Sequence, residues 1–93
     1  APNYPNPFRK ATSIVFEQPE RAFVSVRVYN ILGQEVARLL SEEREAGAHT
    51  VQWNGLDNHQ QPVAGGIYFI TLWRQSPQGK PQLVARQKIS VIR

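Results

Sequence analysis

The fold of this chain is decided by the alternating stretch Phe23-Val-Ser-Val-Arg-Val-Tyr29. Its valines occupy every second position, with Ser25 and Arg27 between them. Successive side chains of a strand point to opposite faces, so the valines share one face and the two polar residues share the other. The stretch therefore predicts a strand with one side in a core and the other toward solvent.

Similar segments occur along the rest of the chain. Each is rich in β-branched and aromatic residues and is bounded by turn residues. The further predicted strands are 13–18, the first half of 34–45, 49–53, 67–75 and 82–92. The proline-rich opening, 1–8, is predicted to form an extended edge or a turn, because proline lacks the amide donor that a central strand needs. We therefore predict a single all-β domain over residues 1–93, an immunoglobulin-like β-sandwich of about seven strands.

The segment 34–45 has a second interpretation. Val36, Leu39, Leu40 and Glu43 recur at a helical period, and Glu and Arg favour helices. A lone helix of two turns nucleates poorly, however, and the surrounding pattern is strand, turn and strand. We therefore predict a strand for the first half of this segment.

The inward positions of the predicted strands define the expected core. They are Ile14, Phe16, Val24, Val26, Val28, Val51, Trp53, Tyr68, Ile70, Leu72, Ile89 and Val91. The loop 56–66 is too polar to be expected to form a core element.

The composition excludes several classes of protein. The 93 residues include no Cys, which excludes disulfides and any Cys-ligated zinc or iron–sulfur centre. No run approaches the roughly eighteen apolar residues of a membrane-spanning helix, and no apolar signal-peptide run stands at the start. Because the chain begins at Ala1 rather than Met, we expect it to be a piece of a longer protein.

Patterns that indicate catalysis or metal binding are scarce. Catalysis needs a nucleophile beside a base, a carboxylate pair or an open metal position. The glutamates at 42, 43 and 45 flank Arg44 and are expected to form a solvated, partly neutralised face. Asp57 lies in an oxygen-rich loop that lacks the bidentate Glu of a calcium loop, so we expect it to bond its own backbone. His49 and His59 have no catalytic partner at a suggestive spacing, and we expect no enzymatic activity, no cofactor and no metal.

One candidate recognition surface is aromatic. If Tyr68, Ile70 and Leu72 face inward, Phe69 and Trp73 face outward on the same strand. An exposed Phe–Trp pair can stack on sugar rings or seat a partner domain. The alternative is that neighbouring strands or the opening segment cover the two rings.

A second candidate surface is basic. The net charge is +4, and no carboxylate follows Asp57, whereas Lys80, Arg86, Lys88 and Arg93 do. This balance favours acidic partners in general, although a solvated strand face explains it as well. No RNA-binding signature or basic stripe is present, so no nucleic-acid partner is expected.

Ordered landmarks along nearly the whole chain resemble those of a known family. They are Tyr4-Pro-Asn-Pro-Phe8, Thr12-Ser-Ile-Val-Phe16, Val26-Arg-Val-Tyr-Asn30, Leu32-Gly-Gln-Glu-Val36, Ala46-Gly-Ala-His49, Val51-Gln-Trp53, Gly55, Asp57 and Gly66-Ile-Tyr68. The ordered set resembles the C-terminal domains of proteins exported by the type IX secretion system of Bacteroidetes-like bacteria. It also resembles the related immunoglobulin-like domain of the flagellar hook-capping protein. Three positions depart from the pattern: Gln18 replaces an apolar residue, Asn54 replaces the usual Asp, and Gln60 stands where Gly is frequent.

The resemblance implies a function. It implies a non-catalytic C-terminal module that directs the secretion and cell-surface attachment of a larger protein, expected to be a polysaccharide-degrading glycoside hydrolase. The implied partners are the export machinery and components of the outer membrane or cell surface. The closing strand is the part usually tied to export, which makes Arg86, Lys88 and Arg93 the candidate recognition residues.

Two alternatives remain open. The first is a carbohydrate-binding module that uses Phe69 and Trp73 to hold a polysaccharide. The second is a structural spacer or dimerising domain. Whichever role applies, we expect the domain to be a monomer or weak dimer.

Overall fold

The computed structural model describes residues 6–8, 12–75 and 79–92, and every regular element within them is a strand. The strands are β1 Asn6–Phe8, β2 Thr12–Gln18, β3 Ala22–Asn30, β4 Glu35–Arg44, β5 Gly47–Trp53, β6 Gly66–Gln75 and β7 Pro81–Val91. The predicted all-β fold is confirmed. Residues 76–78, between the predicted strands 67–75 and 82–92, lie outside the described residues, as do Ala1–Pro5 of the opening segment.

Two sheets form the sandwich. The larger has the order β1-β7-β6-β3-β4, and the smaller consists of β2 and β5. Neighbouring strands are antiparallel except β1 and β7, which are parallel. The described part of the proline-rich segment is thus an edge strand, where proline's missing donor costs no central hydrogen bond.

The core lies between the two sheets and matches the predicted set closely. Every predicted core residue is buried except Val51, which is half-buried and packs against the others. Buried apolar residues that the alternation missed are Ala37, Leu40 and Val63. Val63 corrects the expectation that the loop 56–66 contributes nothing: its amide donates to the Gly55 carbonyl, and its side chain joins the core.

Strand β4 extends to Arg44 and contains two irregularities. The register with β3 skips one residue between Leu40 and Arg38 and another between Ala37 and Glu35. The skipped residues are Leu39 and Val36, and both are half-buried against the core. A bulge inserts one residue into the alternation, so the apolar spacing of β4 resembles a helical period although the backbone is extended.

Strand β7 is paired on both sides along only part of its length. It pairs with β6 from Pro81 to Val91, whereas β1 pairs with the three residues 89–91. Among the described residues, the outer edge of β7 from Pro81 to Lys88 therefore has no neighbouring strand. Residues 81–86 are all exposed.

Candidate functional site

The structure brings the two predicted recognition surfaces together. Phe69 and Trp73 lie on β6, and Arg86 and Lys88 lie on the adjacent strand β7. Phe69 is directly opposite Lys88, so these side chains share the outer face of the five-stranded sheet. Arg93 lies outside the described residues. The aromatic pair and the basic residues thus form one surface rather than two.

The two rings are neither fully exposed nor fully covered, so they lie between the two alternatives that the sequence left open. Phe69 and Trp73 are both half-buried. The guanidinium carbon of Arg27 lies 4.9 Å from the Trp73 ring centroid, and that of Arg86 lies 4.9 Å from the Phe69 centroid. Each arginine is within the range of a cation–π contact and covers part of one ring face.

Hydrogen bonds fix the Trp73 side of this surface. The Trp73 indole Nε1 donates to Thr71 Oγ1 over 2.8 Å, and Thr71 Oγ1 donates to the Arg27 carbonyl over 3.0 Å. Arg27 Nε donates to Ser25 Oγ over 3.2 Å. Ser25 and Thr71 are both buried although they lie on the outer face, because the large side chains cover them. The side chains on the outer face of the larger sheet therefore pack against each other in a small layer of their own, separate from the core between the sheets.

A groove of about 320 Å³ runs along this face, between the end of β3 and the β6–β7 pair. The side chains that give it its character are Tyr29, Ile31, Phe69, Trp73, Leu83 and Arg86. Leu83 is 50% exposed, and Ile31 is 71% exposed at the rim. The groove is mainly apolar, with one free guanidinium at its edge. The sequence did not predict that Tyr29, Ile31 and Leu83 belong to this site. These residues come together only through the pairing of three strands, which alternation along one strand does not show.

The turn between β3 and β4 holds the apolar rim in place. Asn30 Oδ1 accepts hydrogen bonds from the amides of Leu32 and Gln34, at 2.9 and 3.0 Å. The Gly33 amide donates to the Asn30 carbonyl, and Gly33 has a φ of 81°, which favours glycine. Ile31 and Leu32, 71% and 78% exposed, are thereby held in solvent by a well-bonded turn.

The cations on this face differ in whether they have a partner. Arg38 forms two hydrogen bonds of 2.9 Å with Glu35, which hold the pKa of that carboxyl below its usual range. Within the part of the chain that the structure describes, Arg27, Arg86 and Lys88 form no ion pair. Arg86 and Lys88 are exposed and therefore available to an external anion, whereas Arg27 is half-buried and interacts electrostatically with Glu35.

The Asp57 loop has the internal hydrogen bonds expected of a shaped turn. Asp57 Oδ1 accepts from the amides of Gln61 (3.0 Å) and His59 (2.8 Å), which lower the pKa of the carboxyl, with the Gln61 bond having the larger effect. Gln60, where glycine is frequent in the resembling family, has a φ of 63°. At the other departure in this region, Asn54 Oδ1 accepts a hydrogen bond from the Leu56 amide over 3.2 Å.

The remaining titratable groups form no reactive cluster among the described residues. Glu43 and Glu45 pair with Arg21, and Glu42 pairs with Arg44, as expected of a self-neutralised surface. Residues 6–8, 12–75 and 79–92 contain no group of three His, Asp or Glu side chains placed to hold a metal ion. They also contain no helix with the length and apolarity needed to cross a membrane.

Comparison with solved structures places this fold among known proteins. The chain is similar to part of dimeric latent PorU from Porphyromonas gingivalis, with a TM-score of 0.79 and 20% identity over 96% of this chain and 9% of that one. It is similar to FlgD from P. aeruginosa, with a TM-score of 0.69 and 21% identity over 86% of this chain and 61% of that one. For FlgD from Xanthomonas campestris the values are 0.68 and 22%, over 87% and 58%. The chain thus spans a small part of PorU and less than two thirds of each FlgD.

The sequence match is consistent with this fold. No curated protein matches the chain. The model of the FlgD Ig-like domain family, however, matches residues 6–78, which is most of its length. The predicted resemblance to the hook-capping domain is therefore confirmed, and this chain belongs to the FlgD Ig-like domain family.

Proposed function

We propose that this domain is a C-terminal sorting module, which is non-catalytic and directs the secretion and cell-surface attachment of a larger secreted protein. Membership of the FlgD Ig-like domain family supports a non-catalytic role for the domain. The observation that carries the proposal is the ordered set of landmarks, from Tyr4 to Tyr68, that resembles the C-terminal domains of type IX secretion substrates.

Strand β7 supplies the recognition surface in this proposal. Its outer edge is unpaired over Pro81–Lys88 among the described residues, so a receptor can add a strand there. Arg86 and Lys88 are exposed on the same strand and form no ion pair with described residues. Arg93 belongs to the proposed surface on sequence grounds alone. A receptor in the export machinery or outer membrane would then combine backbone pairing with contacts to these cations.

The size relationship with PorU is compatible with a terminal module. The matched part covers 9% of that chain, so this fold occurs as one small unit of a much longer protein. The proposal requires the same arrangement here, with the domain at the end of its parent. It also requires a parent that leaves the cell, whatever activity that parent has.

The direct test compares the parent protein with and without these residues in a bacterium that carries the type IX secretion system. We expect the complete parent at the cell surface and the shortened one in the periplasm. A reporter fused to the domain should follow the complete parent. Surface delivery of the shortened parent, or retention of the fused reporter in the periplasm, would refute the proposal.

A structural role is the second candidate. It is favoured by family membership, because FlgD from Xanthomonas campestris is described as a hook-capping protein in flagellar assembly. A spacer or dimerising domain would need neither the free cations nor a receptor. Sedimentation of the 93-residue chain over a range of concentrations tests the dimerising version, which predicts association that increases with concentration.

A carbohydrate-binding role fits the surface less well. Sugar stacking uses the open face of an aromatic ring. Arg27 and Arg86 each cover part of the ring they approach, at 4.9 Å. The two aromatic side chains therefore do not form the flat exposed row that a polysaccharide would need.

A further inference from the structure

The groove on the outer face combines two features that a single ligand can satisfy. Its floor and rim are apolar, with Phe69 and Leu83 on the β6–β7 pair and Ile31 on the β3–β4 turn. Leu83 and Ile31 are largely exposed, at 50% and 71%. Large apolar side chains left in solvent beside a groove gain free energy when a partner covers them. An apolar side chain of a partner is therefore expected to occupy the groove.

The second feature is positive charge without a counterion. Arg86 lines the groove, and Arg27 is placed in the same cross-strand row, separated from it by Thr71. Neither arginine forms an ion pair among the described residues, and the sequence has no carboxylate after Asp57. Glu35 is hydrogen-bonded to Arg38, and its charge also interacts with that of Arg27, whereas Arg86 has no acidic partner among the described residues. The missing negative charge is therefore expected to come from the ligand.

The Trp73 and Phe69 rings restrict the conformations of the Arg27 and Arg86 guanidinium groups before a ligand binds. An arginine stacked on an aromatic face loses part of its rotamer freedom before binding, while the N–H groups at its edge remain directed outward. Arg86 is exposed and donates no side-chain hydrogen bond to any described residue, so its whole fork is free for a carboxylate. Two parallel hydrogen bonds to one carboxylate are the strongest interaction that a free guanidinium group can form.

These features distinguish a peptide from a glycan. An acidic glycan supplies carboxylates but no aliphatic group to cover Leu83 and Ile31, and its sugar faces find Phe69 and Trp73 already partly covered. A protein segment that carries both acidic and apolar side chains supplies both kinds of contact. We infer that the outer-face groove of this domain binds an extended acidic segment of a partner protein, with an apolar side chain seated against Phe69 and Leu83 and a carboxylate on Arg86.

This inference names the chemistry of a partner and does not rest on the export role. It holds equally if the partner belongs to the parent protein or to a structural assembly. The test is therefore made with the purified 93-residue chain, in which export has no part.

The probes are synthetic peptides and one glycan. The first peptide alternates Leu with Glu, the second replaces each Leu by Ser, and the third replaces each Glu by Gln. Polygalacturonate supplies carboxylates on a sugar chain. Binding is followed through the two indole N–H signals in nitrogen–proton correlation spectra. Trp73 borders the groove, whereas Trp53 is 1% exposed in the core and donates to the Leu56 carbonyl, so its signal is an internal control.

We expect the Leu–Glu peptide to bind about tenfold more tightly than either altered peptide, since each of them removes one of the two contributions. The Trp73 signal should move and the Trp53 signal should not. Arg86→Gln and Leu83→Ser should each weaken binding about tenfold. Both positions are exposed, so neither change removes core packing. Lys80→Gln, an exposed cation that does not line the groove, is the matched control and should leave the affinity unchanged.

Several results would overturn the inference. These are binding of polygalacturonate as tight as that of the Leu–Glu peptide, equal binding of the Ser-substituted peptide, or no binding by any probe. Unchanged affinity in both Arg86→Gln and Leu83→Ser would do the same. Surface delivery of the parent without this domain, with peptide binding by the purified domain intact, would count against the export role alone.

Discussion

Arg74 Nε donates a 2.6 Å hydrogen bond to Gln18 Oε1 and thereby joins the two sheets of the sandwich. Gln18 ends β2 and is 2% exposed, whereas Arg74 lies on β6 and is half-buried. A second guanidinium nitrogen, Nη2, donates to the Glu17 carbonyl over 3.1 Å, and Gln18 Nε2 donates to the Glu20 carbonyl over 3.2 Å. In the family that the sequence resembles, position 18 is usually apolar. In this domain Gln18 and Arg74 form a hydrogen-bonded tie between the two sheets, and the polar atoms of this tie have hydrogen-bond partners.

The two ends of this tie should respond differently to mutation. Arg74→Ala leaves the buried Gln18 oxygen without its donor, and we expect a loss of about 2 kcal/mol in the free energy of unfolding. Gln18→Leu restores the apolar residue of the family and leaves Arg74 within reach of water, so its cost should be below about 1 kcal/mol. Urea unfolding of the two variants measures both values. A larger loss for Gln18→Leu than for Arg74→Ala would contradict this account of the tie.

The backbone at Gln60 predicts a stabilising substitution. Its φ of 63° lies in the left-handed region, which costs a residue with a side chain about 1–2 kcal/mol. Glycine avoids this cost, but it also increases the entropy of the unfolded chain, which offsets part of the gain. Gln60→Gly should therefore raise the free energy of unfolding by roughly 0.5–1 kcal/mol. Gln61→Gly, at an exposed neighbour without a positive φ, is the control and should lower it. A destabilised Gln60→Gly variant would show that the side chain matters more than the backbone.

The Asp57 turn predicts a dependence of stability on pH. Because its pKa is lowered in the folded domain, the Asp57 carboxylate contributes stability that is present above the ordinary pKa of Asp. This contribution is lost as the pH falls through the lower pKa of the folded state. Asp57→Asn keeps an acceptor oxygen but removes the charge, so the variant should lose less stability than the wild type between about pH 5 and pH 2. Equal slopes for the two proteins would contradict the assignment.

The core predicts a contrast between two valines. Val26 is 0% exposed on β3, whereas Val15 is 67% exposed on β2. Val26→Ala removes two methyl groups and leaves a cavity, so it should cost about 2–3 kcal/mol, a large part of the stability of so small a domain. Val15→Ala should change stability by less than about 0.5 kcal/mol. Trp53→Ala should unfold the domain or nearly so, and circular dichroism during heating checks all three.

Much of the fold could be predicted because strand alternation is a local property. Positions such as Val24, Val26 and Ile70 are buried as their alternation indicates. Strand β4 was harder, because its bulges at Val36 and Leu39 break the alternation and hide the inward positions of Ala37 and Leu40. A bulge depends on pairing with a distant strand and leaves no clear local signal.

The proposed recognition surface could be predicted from the sequence in its parts but not as a whole. The sequence shows that Phe69, Trp73, Arg86 and Lys88 lie on neighbouring strands near the end of the chain. It does not show that Arg27, from β3, covers Trp73, because that contact depends on the pairing of β3 with β6. Long-range register decides which cations meet which rings, and alternation alone does not specify it.

The export of a reporter tests the central claim most directly, with the domain fused in three forms: wild type, Arg86→Glu with Lys88→Glu, and Lys80→Glu. Both reversed charges of the double variant lie on the exposed side of β7 and outside the core, so thermal unfolding should show a folded domain. If β7 is the recognised strand, the wild-type and Lys80→Glu fusions reach the surface of a type IX-secreting bacterium, and the double variant stays in the periplasm. Surface delivery of a folded double variant at the wild-type level would contradict the account.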